Sequence, residues 1–500
     1  MKLSHKTPPE GTVRDWIEQR AKSDEIAFVF TEDCDTLTWR ELFIEAEKIA
    51  KAITAQDVAK GESIAILQPN GREGVLAFYS AVFGGFRATM INLAAGPDAI
   101  AYALDHCGAR IALVHDKVVE IFESARPKQM KRLTSFETQD IVLHDVAATD
   151  HALLMYTSGT TGRPKGVVHS HSSLLAGGWT AAVAHQLTET DRALCVLPIC
   201  HINGLCVTVM GALISGGSVV MAEKFSTSRF WDQIKKHDVT WFSVVPTIIS
   251  HLVHSDTNPD TQTKARLRFG RSASSALAPD VQTAFETRFG LPIIETMGLT
   301  ETAAQILSNP LPPGKRKIGS PGIAYGNEVA ILGPDLSERA VDVQGEIAVR
   351  GPNVMIEYLK NPEATKSTFH GDWLRTGDLG HKDADGYLFV TGRLKELIIK
   401  GGENIAPREI DEALYAHADV VEAAAFARPC KTYGERVEAA VSVCDRSTLT
   451  AEDLIRSCVE KLGKFKAPDY VYFLPELPKG PSGKIQRLKL QDILLPAKRD

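Results

Sequence analysis

An α/β protein of two unequal domains is predicted: a large N-terminal domain of helix-covered, mostly parallel sheets, then a small α/β C-terminal domain. Three observations predict it. The chain has 500 residues, too many for one simple core. Between Glu62 and Gly298, short β-rich runs alternate with amphipathic stretches, the pattern of parallel strands joined by helices. After Arg350 the pattern gives way to a hairpin and a run able to form a second α/β unit.

In chain order, "SIAILQ" reads as a strand and "REGVLAFYSAVFGG" as a helix ended by glycine. "RIALVH", "RALCVLP", "SVVMAE", "TWFSVVP" and "PIIETMG" are further strands. "SRFWDQIKKH" and "APDVQTAFETRF" are helices, with apolar residues at three-to-four spacing and Pro279 near a start, where its missing N–H is harmless. "HKDADGYLFVTGR" is a hairpin with a polar turn. Then "LIIKGGENIAPREIDEAL" gives a strand, a Gly-Gly turn and a helix opened by Pro407. The large domain is assigned residues 1–392, the hinge 393–396 and the small domain 397–500. The first sixty residues carry less pattern and are assigned to the large domain.

A formal net charge of −6 argues against nucleic acid or an anionic membrane as the main partner. The most apolar stretch, Val207 to Ala222, is too short and too interrupted by Gly211, Gly216 and Gly217 to span a bilayer, so no stable membrane anchor is expected. The opening "MKLSHKTPPE" lacks the apolar core of a signal peptide, and the eight cysteines form no C-x-x-C pair. Both features predict reduced thiols in a cytoplasmic protein. Cys195, Cys200, His201 and Cys206 cluster, but at no common zinc spacing.

The stretch "HALLMYTSGTTGRPKG" is an apolar run, a loop rich in Gly, Ser and Thr, then Lys165. Gly159 and Gly162 let backbone N–H groups turn toward an anion. Thr157, Ser158, Thr160 and Thr161 add hydroxyls, and Lys165 a mobile charge. The run is either a phosphate loop or an ordinary turn. "ETMGLTETA" puts Thr300 and Glu301 where a strand end meets a helix start, either a magnesium-holding carboxylate or a helix cap. In "WLRTGDLG", Asp378 can accept hydrogen bonds from two vicinal hydroxyls, or simply occupy a surface turn. "PKGPSGKIQR" sets Lys484 on a Gly/Pro-rich loop. In "LPICHINGL", His201 lies just after a strand and before a helix.

TSGTTG-x-PKG, the downstream Thr-Glu, the Thr-Gly-Asp and the C-terminal Gly-Lys, in this order from about Leu37 to Arg487, resemble the adenylate-forming superfamily. That superfamily includes acyl-CoA synthetases, peptide-synthetase adenylation domains and beetle luciferases. The resemblance implies an ATP-dependent, AMP-forming acid–CoA ligase with Mg2+ as cofactor and ATP, CoA and a small carboxylic acid as substrates. It implies a loop around Lys165 on the leaving phosphates, Glu301 on magnesium and Thr300 near the α-phosphate. It implies ribose contacts at Asp378 and Arg393, a mobile small domain turning about Lys395, and Lys484 acting on the α-phosphate. Gly401 and Gly402 would line the pantetheine path, and His201 would gate the thiol. Met297 stands where the family usually has an aromatic residue against adenine.

The same resemblance places the acyl pocket around Asn203, Trp241, Ser243, Ser272, Ser274 and Gly298. "TWFSVVPT" and "ILSNPLPPGKRKIGSPG" look most like the oxalate-activating branch, so a short polar acid such as oxalate or sulfoacetate is expected. Malonate-activating relatives carry an arginine where Thr296 stands here. Alternatives are a medium-chain or aryl acid, a carrier protein in place of CoA, or a non-catalytic nucleotide sensor.

Overall fold

The computed structural model describes residues 4–137, 140–157, 164–480 and 483–494. Two large sheets dominate the first part of the chain. One has nine strands; its central six, Ile26–Phe30, Ser218–Met221, Arg192–Cys195, Trp241–Val244, Phe269–Ser272 and Ile293–Leu299, run parallel. The other has seven, with Ser63–Leu67, Arg87–Met90, Ile111–Val114, Lys131–Arg132 and His151–Tyr156 parallel. Antiparallel strands close both edges of the first sheet and one edge of the second.

One hydrophobic core takes in both sheets: Phe28, Val219 and Trp241 from the first, Ile64, Ala88 and Leu153 from the second. Helices Arg72–Phe83 and His171–Ala184 contribute to it. Nearly every residue of each is buried, which explains why neither shows a polar face. Helices such as Pro279–Phe289 instead lie over a second cluster with Phe242 and Val244, on the outer side of the first sheet.

The first sixty residues are ordered by local signals. Helix Val13–Arg20 starts at a Thr12/Asp15 capping box and helix Trp39–Thr54 at a Thr38/Glu41 one, each side chain bonding the other's backbone N–H.

Two expectations need correction. The segment between Glu328 and Arg393 contributes a third sheet of five strands that is wholly antiparallel, not just one hairpin. And no helix starts at Thr300. A three-residue 3-10 turn, Thr300–Thr302, reverses the chain from Ile293–Leu299 into the antiparallel strand Ala304–Ser308. Backbones cross so tightly there that a Cβ on Gly298 would lie 1.6 Å from the Ala304 carbonyl oxygen, so only glycine fits.

Arg393 ends a strand of the third sheet, residues 394–396 form a turn, and Ile398 opens a separate sheet with its own core around Ile410, Ala425 and Val441. Pro407 stands at the first turn of helix Pro407–Tyr415, as its fixed φ favours. This second unit docks on the first. Ser250 Oγ donates to the Val421 carbonyl at 2.6 Å, His251 Nε2 lies 3.0 Å from Glu422 Oε1, and Thr247 Oγ1 donates to the Gly483 carbonyl at 3.2 Å.

Candidate active site

The sequence between Tyr156 and Gly166 joins two antiparallel strands, His151–Tyr156 and Gly166–Ser170. Ser158, Gly159, Thr160, Thr161 and Gly162 lie outside the described residues. At the loop's base, Thr157 N–H donates to the Lys165 carbonyl at 2.9 Å. Lys165 Nζ stands 4.4 Å from the centre of the Tyr358 ring, within cation–π reach. The Tyr358 hydroxyl donates to Glu301 Oε1 at 2.8 Å. Burial, then the charge of Glu301, pushes the phenol's pKa up, so it stays a donor at neutral pH. The sequence reading missed Tyr358. Its place follows from the pairing of Glu357–Tyr358 with Gly166–Ser170, a contact far apart in sequence.

That same strand fixes the Thr300 turn. His169 Nε2 is 2.7 Å from the Thr300 carbonyl oxygen and Nδ1 is 3.1 Å from Ser173 Oγ. Burial pushes the imidazole down to about 4, so it is neutral, with Nε2 the protonated nitrogen and donor. The main chain of Glu301 is held as well, its carbonyl accepting from Met355 N–H at 2.8 Å. Met297, half-buried, packs against the core of the third sheet.

Asp378 and Arg393 face each other across antiparallel strands Trp373–Lys382 and Leu388–Arg393. Arg393 Nε donates to Asp378 Oδ1 at 2.7 Å, and Thr376 Oγ1 accepts from Asp378 N–H at 3.1 Å. Lys484 comes to this pair from the other unit. Burial and then the Arg393 charge depress its pKa, while Glu396 and Asp378 oppose that shift. Lys395 is exposed in the turn between the units. Gly401 and Gly402 are exposed too, at φ +60° and +86°, in the turn of hairpin Ile398–Ile405. In this arrangement Lys484 lies within electrostatic reach of Arg393 and Asp378, and the Gly-Gly turn stays exposed.

Of the residues expected to line the acyl pocket, Asn203, Ser243 and Ser274 meet at the carboxyl ends of the first sheet's parallel strands, where such sheets bind ligands. His201 follows strand Arg192–Cys195 and precedes a π-helical run, Asn203–Met210, a form frequent at functional sites. Burial pushes its pKa to about 4, and its Nε2 is buried without a hydrogen bond among the described residues. Asn203 Nδ2 donates to Ser274 Oγ at 3.1 Å, and Ser243 Oγ donates to Asn203 Oδ1 at 3.4 Å. Ser274 adopts φ +76°, strained backbone of the kind that clusters at functional sites.

Trp241 and Ser272 are not brought to this cluster. Trp241 is 2% exposed and stacks on Phe269 deep in the core, centroids 5.4 Å apart. Ser272 pairs in register with Val244 and Glu295, which puts it on the opposite face of the sheet from Ser243. What the sequence reading overlooked is Arg271, in register with Ser243 on the cluster's own face. Arg266 and Arg268 precede it within five residues, and nothing local marks Arg271 as the buried one of the three.

Among the described residues, no group of three or more His, Cys, Asp or Glu side chains is arranged to hold a metal. Glu301 offers a single hard carboxylate, with Oε1 engaged by Tyr358 and Oε2 without a hydrogen bond among the described residues. That donor chemistry suits Mg2+, which is usually held by one or two carboxylates together with substrate phosphates. Among the described residues, no helix is long and apolar enough to cross a membrane.

The chain is 43% identical over 471 residues to the sulfoacetate–CoA ligase of Cupriavidus necator, covering 91% of this chain and 92% of that protein. It is 35% identical over 463 residues to the oxalate–CoA ligase of Arabidopsis thaliana, covering 88% and 89%. Among solved structures it matches MatB from Rhodopseudomonas palustris with ATP bound, at a TM-score of 0.88 and 28% identity over 97% of this chain and 100% of that one. The apo form of the same protein matches at 0.76, with 27% identity and the same coverage. The AMP-binding enzyme family model matches residues 15–359 and the AMP-binding enzyme C-terminal domain model residues 409–484, so the chain belongs to the AMP-binding enzyme family.

Proposed function

We propose that the protein is an AMP-forming acid–CoA ligase acting on a short polar acid of the oxalate or sulfoacetate kind. The observation that carries this reading is the docking of Gly483, next to Lys484, against Thr247 and Val245 of the large unit, which sets Lys484 within electrostatic reach of the Asp378–Arg393 pair. A carboxylate resists attack by a thiol because its charge is delocalised and oxide is a poor leaving group. Joining it to the α-phosphate of ATP expels pyrophosphate and makes AMP the leaving group.

In this reading Asp378 accepts hydrogen bonds from the ribose hydroxyls while Arg393 orients it. Lys165, its charge steadied over Tyr358, neutralises the leaving phosphates, and Thr157 fixes the base of that loop. Glu301 would hold Mg2+, which when bound offsets phosphate charge. Thr300 lies at the α-phosphate, Met297 beside the adenine, and Lys484 offsets the repulsion between the acid's carboxylate and the α-phosphate. Neutral His201, with Nε2 unpaired, meets the acid or the incoming thiol. The small unit then turns about Lys395, withdrawing Lys484 and bringing in Gly401 and Gly402 for CoA. The higher match to the ATP-bound relative than to its apo form supports reading this arrangement as the adenylating one. A cytoplasmic location fits the eight free cysteines.

The test is direct. Purified protein with ATP, Mg2+ and CoA should form AMP, pyrophosphate and a thioester in equal amounts with oxalate or sulfoacetate. Formation of ADP, or fastest turnover on octanoate or benzoate, would overturn the reading.

A further inference from the structure

Arg271 lies on the central parallel strand Phe269–Ser272, between Trp241–Val244 and Ile293–Leu299. Its side chain is 1% exposed. Nη1 donates to Asn203 Oδ1 at 2.7 Å and to Ser243 Oγ at 3.0 Å, and Nε donates to Gln305 Oε1 at 3.3 Å. Every one of these acceptors is neutral. Among the described residues, no carboxylate forms an ion pair with Arg271 and Nη2 makes no hydrogen bond. Arg428, another buried guanidinium, has Glu438 at 2.9 Å. A buried cation without a counter-charge is unfavourable and is usually found paired. Burial pushes the Arg271 pKa down to about 9, which leaves it charged at neutral pH.

The surroundings point toward the site already described. From Arg271 hydrogen bonds run through Asn203 to Ser274. Gln305 Oε1 is held from behind by His185 at 3.1 Å. Along the neighbouring strand, Ser243 stands beside Arg271, and Val245, two residues on, lies against Gly483, where a Cβ would come within 3.0 Å of Val245 Cγ2. Gly483 immediately precedes Lys484. Two residues of extended chain span about 7 Å, so the strand position beside Arg271 and the one touching the Lys484 loop lie about that far apart on one strand.

We propose that Arg271, with Asn203 and Ser243 as its positioning partners, takes the second anionic group of a short dianionic acid, a sulfonate or second carboxylate, while the reacting carboxylate lies toward Lys484. This rests on the ligase reading and narrows its substrate class. With Nε and Nη1 engaged by Gln305, Asn203 and Ser243, the two N–H groups of Nη2 are left to donate charge-assisted hydrogen bonds to a carboxylate or sulfonate. The arginine also selects against monoanions, since an acid lacking the second charge leaves the cation uncompensated.

The experiment compares the wild type with Arg271→Met and Arg271→Lys, measuring pyrophosphate release with sulfoacetate, oxalate, acetate and propionate, alongside thermal melts. In Arg271→Met the ratio of kcat/KM for sulfoacetate over acetate should fall about 100-fold, mostly through KM. The melting temperature should not drop, because a buried unpaired charge is replaced by an apolar chain of similar length. Arg271→Lys should show a smaller loss with the same selectivity, and it serves if the methionine variant does not fold. Equal losses on mono- and dianions, or a wild type that prefers acetate, would overturn the proposal while leaving the ligase reading intact. If no acid gave AMP at all, the ligase reading would fail. The Arg271 proposal would then be judged on sulfoacetate binding: stabilisation of the wild type against heat, lost in Arg271→Met, supports it, and no stabilisation overturns it.

Discussion

The Tyr358 hydroxyl donates to Glu301 at 2.8 Å while its ring lies 4.4 Å beneath the Lys165 ammonium, so one aromatic side chain ties together a carboxylate and a cation from two different hairpins. The two roles are separable. Tyr358→Phe keeps the face under Lys165 and removes the hydrogen bond to Glu301. A charge-assisted bond of this kind contributes about 1.5 kcal/mol, so acid-dependent ATP–pyrophosphate exchange should fall roughly ten-fold. The Mg2+ concentration giving half-maximal rate should rise. Tyr358→Leu should lose more, with a higher KM for ATP. An unchanged magnesium dependence in the phenylalanine variant would detach Tyr358 from the metal-holding role proposed for Glu301.

Lys484→Ala should separate the two half-reactions. Losing a cation aimed at developing phosphate charge costs on the order of 3 kcal/mol, or more than 100-fold, in adenylate formation. Thioester formation from pre-made acyl-adenylate and CoA should stay within a few-fold of wild type, because the proposed turn about Lys395 withdraws Lys484 for that step. Rapid-quench measurement of each half-reaction decides the matter; equal losses in both would mean that Lys484 serves a single fixed site.

Docking of the two units leans on Glu422, which is 1% exposed and receives Lys479 Nζ at 2.5 Å, Leu477 N–H at 2.9 Å and His251 at 3.0 Å. Only His251 comes from the large unit. His251→Ala therefore leaves Glu422 satisfied within its own unit and removes one cross-unit bond, worth about 1 kcal/mol for a half-exposed pair. Adenylation should slow by about five-fold and thioester formation should not slow. A stronger effect on the second half-reaction would assign this interface to the other arrangement.

Local chemistry made part of this architecture readable. Pro279 and Pro407 open helices, the Asp383–Gly386 turn closes its hairpin, and four of the first sheet's six parallel strands were marked by β-rich runs, Ile26–Phe30 and Phe269–Ser272 being missed. The Thr12/Asp15 and Thr38/Glu41 boxes were also there to be read and would have ordered the first sixty residues. What a local reading cannot supply is register. Ser243 and Ser272 look alike as small hydroxyl residues near strand ends, yet one faces Arg271 and the other faces Glu295. Arg271 resembles any strand arginine until its neighbours are known. Tyr358 becomes meaningful only when Glu357–Tyr358 pairs with the strand after the phosphate loop.

Acid sensitivity follows from the imidazoles around helix His171–Ala184. His169 and His171 are fully buried, and burial holds each near a pKa of about 4 in the folded chain, while an unfolded histidine titrates near 6.5. Between those values the unfolded state binds more protons than the folded one, so unfolding free energy falls as pH drops from about 6.5 toward 4. Above 6.5 both states are neutral at these positions and the contribution is complete, up to ~3 kcal/mol for each histidine. His171 offers the cleaner test because it lies away from Thr300. Its Nδ1 accepts the Val13 N–H at 3.3 Å at the start of the first helix, and its Nε2 has no hydrogen bond among the described residues. A glutamine there can still accept from Val13 but cannot titrate. Thermal melts from pH 8 to 5 should show the wild type losing stability below pH 6.5 and His171→Gln losing distinctly less over the same interval. Carboxylates change little in that window, so parallel curves for the two proteins would mean that His171 is not held neutral by the fold.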